Sequence, residues 1–296
     1  MKPRPKPPHN PAKIYLWPNL MTAGNLICGF LAVLRILQGT IERSNFPDNL
    51  DGWIQIYESS LYFILAACIF DLLDGRVARM GKAESPFGRE FDSLADIVSF
   101  GVAPALLVFE IVLYELPNRL GWLLAAFYLM CGALRLARFN VHAALPHEPG
   151  ASREFTGFPI PAAAGLVSAI TLLLLYYYRT DRDLELGWGK YFLAVLLFFL
   201  SIMMFSKFKY PSFKGFNLRT EQSFPKSIAA VGILALTLMY PQWMLAVLFV
   251  TYLLYGFFRP FVSRAWRRQI EDEDEEDDND DKPAGASAPH RGGSHG

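Results

Sequence analysis

Eight blocks of apolar sequence, each about twenty residues long, leave this chain few ways to fold. They lie at about 17–39, 58–80, 91–115, 119–141, 159–178, 187–206, 222–239 and 242–262. A helix needs roughly 20 mainly apolar residues to cross the hydrocarbon of a bilayer. The expected fold class is therefore an all-α integral membrane protein with about eight transmembrane helices. The blocks follow one another with short connections and no obvious internal repeat, so they are expected to form one continuous bundle.

Composition alone does not give this class. Hydrophobic residues make up 52% of the chain, barely above the soluble average of roughly 45–50%. The signal lies in their distribution, because the polar residues collect at the two ends. The formal net charge of zero hides the same asymmetry. Residues 271–281 hold ten acids, interrupted only by Asn279, whereas residues 1–270 carry 26 Lys/Arg against 18 Asp/Glu. Three regions are expected. Residues 1–13 form a disordered basic arm, with Lys2, Arg4, Lys6 and Lys13 set among prolines that prevent a helix. Residues 14–262 form the membrane-embedded domain. Residues 263–296 form a disordered tail, since a block of like charges repels itself.

Lys and Arg placement sets the expected orientation. With the N-terminus inside, the inner ends and loops carry 20 of them, and the outer loops carry five: Arg43, Arg119, Arg179, Arg182 and Lys190. Both termini are then cytoplasmic. Cys28, Cys68 and Cys131 fall within spans and read as buried small hydrophobes. The five histidines show no zinc spacing.

The chemistry concentrates in residues 71–96, DLLDGRVARMGKAESPFGREFDSLAD. Asp71 and Asp74 are spaced i,i+3 near the inner end of the second span. Asp92 and Asp96 are spaced i,i+4 at the start of the third. Each pair occupies one helix face, and a short loop makes the helices antiparallel neighbours whose faces can converge. A carboxylate in hydrocarbon costs a few kcal/mol at least, and four together repel each other further. Divalent cations are the simplest remedy. Oxygen ligands without His or Cys suit magnesium, manganese or calcium rather than zinc, and two ions would balance four charges. Gly75, Ala78 and Gly88 lack bulk beside the acids, so a ligand can approach the backbone. Arg79 and Arg89 either bind a phosphate or neutralise an aspartate. Metals, cations and a lipid-accessible cleft together point to phosphoryl chemistry on a lipid.

The same stretch reads D-x2-D-G-x2-A-R-x8-G-x3-D-x3-D, with Asp71, Asp74, Gly75, Ala78, Arg79, Gly88, Asp92 and Asp96 at the specified positions. It resembles the signature of the CDP-alcohol phosphotransferase family. Four further stretches narrow the likeness. They are Pro18–Asn25 (PNxxTxxN), Gly132–Asn140 (GALRLARFN), Phe155–Gly165 (FTGFPIPAAAG) and Ser206–Lys214 (SKFKYPSFK). With them the chain looks like the membrane-embedded CDP-diacylglycerol–serine O-phosphatidyltransferases over roughly residues 14–262. The resemblance implies a core of six helices, with the last two spans as additions. It also implies a homodimer in the cytoplasmic (inner) membrane, with the active site open to the cytoplasm.

The implied reaction transfers a phosphatidyl group from CDP-diacylglycerol to L-serine and releases CMP. The implied cofactor is a pair of Mn2+ or Mg2+ ions held by Asp71, Asp74, Asp92 and Asp96, with Asp96 also acting as the base. CDP-diacylglycerol would lie against Thr22, Gly75, Ala78, Arg79, Gly88 and Ser85. Arg135, Arg138, Lys207 and Lys209 sit at the level of the aspartates and are the cations available to the acceptor. Rival readings are a sister enzyme using glycerol 3-phosphate or inositol phosphate, and a cation-coupled transporter. A transporter would show inverted repeats with broken helices in both halves, whereas all four acids lie in one quarter of this chain. Nothing in the sequence suggests a nucleic-acid partner.

Overall fold

The computed structural model describes residues 16–81, 86–144, 155–180, 187–206, 209–210 and 224–258. The basic arm, the acidic tail, Ser85 and Lys207 lie outside the described residues. The helices are α1 (Leu16–Asn45), α2 (Leu50–Gly81), α3 (Pro86–Asp96), α4 (Ala103–Ile111), α5 (Leu120–Ala144), α6 (Ile160–Thr180), α7 (Gly187–Phe205), α8 (Phe224–Met239) and α9 (Pro241–Phe258). A π-helical segment, Ile97–Val102, joins α3 to α4. Since α3, this segment and α4 continue one another, the nine α-helices of the described residues make eight rods, one for each apolar block. The two short strands β1 (Phe155–Thr156) and β2 (Lys209–Tyr210) pair antiparallel, with Phe155 opposite Tyr210.

Five stretches among the described residues are long and apolar enough to cross a membrane: Asn19–Asn45, Leu50–Gly75, Pro86–Ile111, Leu120–Val141 and Ile160–Thr180. Tyr191–Phe205 and Pro241–Gly256 are shorter apolar helices. The periphery is apolar too. Leu34, Trp122, Leu123, Val195 and Leu238 all point outward. So much exposed hydrocarbon requires an apolar surrounding, and the protein is an integral membrane protein.

Several helices outrun the apolar blocks. α1 continues to Asn45 and α2 begins at Leu50, because polar groups at this end of the bundle satisfy one another. Arg43 stacks over the rings of Trp53 and Tyr114, 5.4 and 5.0 Å from their centres, and donates to the Glu110 carbonyl at 3.2 Å. Thr40 Oγ1 lies 3.0 Å from Glu110 Oε2 and 3.1 Å from Tyr57 Oη. Arg179 ties α6 to α2 through Asp51 at 2.8 Å. Hydropathy sees only the length of helix in hydrocarbon and is blind to such interfacial turns.

The third span is not one regular helix. Pro104 stands in the first turn of α4. A proline lacks the N–H for a helical bond, and its ring clashes with the carbonyl four residues back, here that of Phe100. The wider π turn before it relieves the clash. The Phe100 carbonyl, which Pro104 cannot serve, accepts a hydrogen bond from Tyr128 Oη of α5 at 3.1 Å. Tyr128 is fully buried, so Tyr128→Phe would remove that bond with no water to replace it. The expected cost is about 1–3 kcal/mol, read as a lower unfolding temperature in detergent; an unchanged temperature would show that the bond carries no weight.

Two glycines set close approaches. A Cβ on Gly29 would fall on Ser99, so α1 can meet the π segment at backbone distance only without a side chain. Gly157 has φ of 90°, in the left-handed region that favours glycine, and a Cβ there would meet the Met204 carbonyl. The next residue, Phe158, donates its N–H to the Met203 carbonyl at 3.0 Å. The entry to α6 is thereby pinned to the end of α7.

Candidate active site

α2 and α3 bring the four aspartates to the end of the bundle where the chain passes between them. One carboxylate oxygen from each of Asp71, Asp92 and Asp96 lies within 4.8 Å of the others. The i,i+4 pair on α3 thus meets Asp71 of α2. Asp74 stands outside this trio. An i,i+3 step rotates a side chain by about 60°, which turns Asp74 toward α1, and its Oδ2 accepts a hydrogen bond from Thr22 Oγ1 at 2.5 Å. Asp74 and Asp96 are buried, and Asp71 and Asp92 are partly so.

α1 also reaches the trio. Asn25 is fully buried, and its Nδ2 donates to Asp96 Oδ1 at 3.0 Å. Ser99 Oγ of the π segment donates to the backbone carbonyl of Asn25 at 2.9 Å. On the other side, Asn140 of α5 donates to Ser93 Oγ at 2.9 Å, and Ser93 donates to the Arg89 carbonyl at 3.1 Å. Asn25, Ser99 and Asn140 are not among the site residues expected from sequence, although Asn25 lies in the Pro18–Asn25 motif and Asn140 in the Gly132–Asn140 motif. The signal available there was physical, since a carboxamide inside an apolar span must find a partner.

Arg135 points inward from α5, with Asp96 and Asp71 among the charges that act on it. Its Nε is buried without a hydrogen-bond partner. Arg138 lies one turn on and is half-buried. Gly75 is exposed, and among the described residues a Cβ there would meet nothing within 4 Å, so space adjoins the acids. Gly88 is half-buried in the first turn of α3. Ala78 and Arg79 belong to the last turns of α2 and Lys209 to β2, but their side chains lie outside the described set.

The donor set fits a divalent cation. Oδ1 of Asp74 and Oδ1 of Asp92 are buried and unpartnered among the described residues, a costly state for carboxylate oxygens unless a cation meets them. The oxygens are hard donors, suited to Mg2+, Mn2+ or Ca2+. Cys68 lies one turn before Asp71 on α2. All three cysteines are free thiols, and Cys68 Sγ approaches the Pro161 carbonyl at 3.6 Å.

Fold and site define a polytopic helical membrane protein built around an enclosed carboxylate centre. Comparison with known proteins gives that class a name. The sequence model of the CDP-alcohol phosphatidyltransferase family matches residues 15–206, which span the first six rods, α1 to α7. The CDP-diacylglycerol–serine O-phosphatidyltransferase of Helicobacter pylori strain 26695 is 34% identical over 252 residues, 85% of this chain and 93% of that protein. The enzyme of the same name from Bacillus subtilis is 36% identical over 197 residues, 67% of this chain and 90% of its own. An archaetidylserine synthase from Methanothermobacter thermautotrophicus is 31% identical over 205 residues, 69% and 72% of the two chains. The chain belongs to the CDP-alcohol phosphatidyltransferase family.

Proposed function

We propose that this membrane enzyme transfers the phosphatidyl group of CDP-diacylglycerol to L-serine, giving phosphatidylserine and CMP. The observation that carries the reading is the convergence of Asp71, Asp92 and Asp96 within 4.8 Å, in a chain aligned with nearly the whole of two bacterial serine phosphatidyltransferases.

Asp71, Asp74, Asp92 and Asp96 would hold two Mn2+ or Mg2+ ions. When bound, the metal supplies a Lewis acid that polarises the pyrophosphate and offsets the charge developing on the leaving group. The protein does the rest. Thr22 steadies Asp74. The open space beside Gly75 receives the nucleotide and pyrophosphate, with Ala78, Gly88, Arg79 and Ser85 as the further contacts proposed for it. Asp96 accepts the proton of the serine hydroxyl. The oxygen attacks the lipid-side phosphorus, and the bond to CMP breaks. Asp96 then returns the proton to water.

Serine brings a carboxylate, and Arg135 is the inward-facing cation without a full set of partners, with Arg138 one turn away. Lys207 and Lys209 are the remaining cations proposed for this pocket. Arg135→Gln is expected to raise KM for serine about 10- to 100-fold, the loss of one charge-assisted contact, while KM for CDP-diacylglycerol stays within a factor of two. Equal rises in both constants would remove Arg135 from the acceptor pocket. The enzyme is proposed to act as a homodimer in the cytoplasmic membrane, with its active site and both termini in the cytoplasm. Residues 14–262 form its catalytic domain, flanked by the basic arm and the acidic tail.

The test is lipid mass spectrometry on purified protein with CDP-diacylglycerol and Mn2+. Serine, glycerol 3-phosphate and inositol phosphate are offered in separate tubes, and CMP is followed in each. Phosphatidylserine with matching CMP in the serine tube alone is the expected result. A different lipid product would keep the carboxylate site and discard the serine pocket.

A further inference from the structure

Asn25 joins two features of the site that the sequence keeps 71 residues apart. Its side chain is fully enclosed. A carboxylate only accepts hydrogen bonds, so the carboxamide must present its nitrogen to Asp96. That bond engages Oδ1 of Asp96, in a carboxyl that also contributes an oxygen to the cluster with Asp71 and Asp92. The backbone of Asn25 is itself held. Ser99 Oγ donates to its carbonyl, and Gly29, one turn on, lets the π segment close against α1. The π segment begins at Ile97, the residue after Asp96. Asp96 is thus fixed from both ends, its backbone by the π turn and its carboxyl by Asn25. Thr22, one turn before Asn25, performs a similar service for Asp74.

We propose that Asn25 is the positioning residue for Asp96, fixing the orientation of its carboxyl in the site. Its effect on catalysis rests on the proposed role of Asp96; its coupling to Asp96 does not. Without the amide, an aspartate in an enclosed site can rotate about its last torsion, which is broad. Loss of about 0.5 Å or 10–20° of alignment is enough to damage a catalytic constellation.

The decisive variant is Asn25→Leu, close in size but without polar atoms. The expected result is a 30- to 100-fold fall in kcat, with KM for CDP-diacylglycerol and for serine each within a factor of two. A second measurement needs no turnover. Mn2+ affinity, read by electron paramagnetic resonance on purified protein, should weaken about tenfold in Asn25→Leu. It should weaken no further when the same substitution is added to Asp96→Ala, because a residue acting through Asp96 has nothing to hold once that carboxyl is gone. Ser99→Ala, which loosens the Asn25 backbone without touching Asp96, should give the same kcat effect at two- to fivefold.

Three outcomes would overturn the proposal. Wild-type kcat in Asn25→Leu is one. Unchanged kcat with a raised KM for serine is another, since it would make Asn25 a substrate contact through its unpartnered Oδ1. Additive losses of Mn2+ affinity in the double variant are the third. If the wild-type protein made no CMP with any alcohol, the proposed reaction would fail, while the Mn2+ cycle would still decide the coupling. A variant too unstable to purify is replaced by Asn25→Ala, which also removes the donor and adds no charge, with the same expectations for kcat and KM.

Discussion

Asp96→Asn should reduce turnover by roughly a thousandfold, the usual scale for loss of a general base being about 10²–10⁴. The variant is informative because it changes so little else. An asparagine has the shape of the aspartate, and its carbonyl oxygen can still accept the bond from Asn25 Nδ2 that Asp96 Oδ1 accepts at 3.0 Å. Position is kept and basicity is lost. Asp71, Asp74 and Asp92 remain to hold the nucleotide end of the donor lipid through metal. CDP-diacylglycerol binding, measured by native mass spectrometry, is therefore expected to survive. The rate is read as CMP release in a single turnover, which separates the chemical step from product release. Wild-type rates in this variant would remove Asp96 from the proton transfer. Loss of lipid binding in step with rate would make it a metal ligand only.

Thorough chelation with EDTA should silence the enzyme, and Mn2+ or Mg2+ should restore it. The expectation follows from the enclosed acids. Three carboxylate oxygens within 4.8 Å repel each other in surroundings that screen them poorly, and Arg135 makes no ion pair within 4.0 Å of a described carboxylate. Chelation should also lower the unfolding temperature. A cation that binds only the folded form stabilises it by about 2.7 kcal/mol at a concentration one hundred times its Kd, so the temperature should rise as Mn2+ is titrated back. Titration of the chelated protein should reach two ions per chain. Activity persisting in chelated membranes would refute metal-assisted transfer, and saturation at one ion would refute the pair.

The bundle was legible because membrane insertion writes itself into composition. Each rod needs its own apolar block, and the eight blocks became eight rods with only their ends displaced. Those ends moved where side chains satisfy each other, as Arg43 does with Trp53, Tyr114 and Glu110, and no hydropathy window contains such pairings. The break in the third span had one visible cause, Pro104, but its remedy did not show. Nothing local to residues 97–104 reveals that Tyr128, on another helix, would cap the Phe100 carbonyl.

The aspartates divide in the same way. By itself the sequence determined that four carboxylates share two neighbouring helices, and that a cation must answer them, since both spacing and burial in an apolar span are local facts. It also carried the family, through residues set at fixed intervals along a 26-residue stretch. Only the tertiary structure decided that Asp71 joins Asp92 and Asp96, while Asp74 turns to Thr22. Only it placed Asn25 against Asp96. Such choices depend on the rotation of one helix against its neighbours. A few tens of degrees exchange one acid for another, and that rotation is set by the packing of the whole bundle, down to the missing side chain at Gly29.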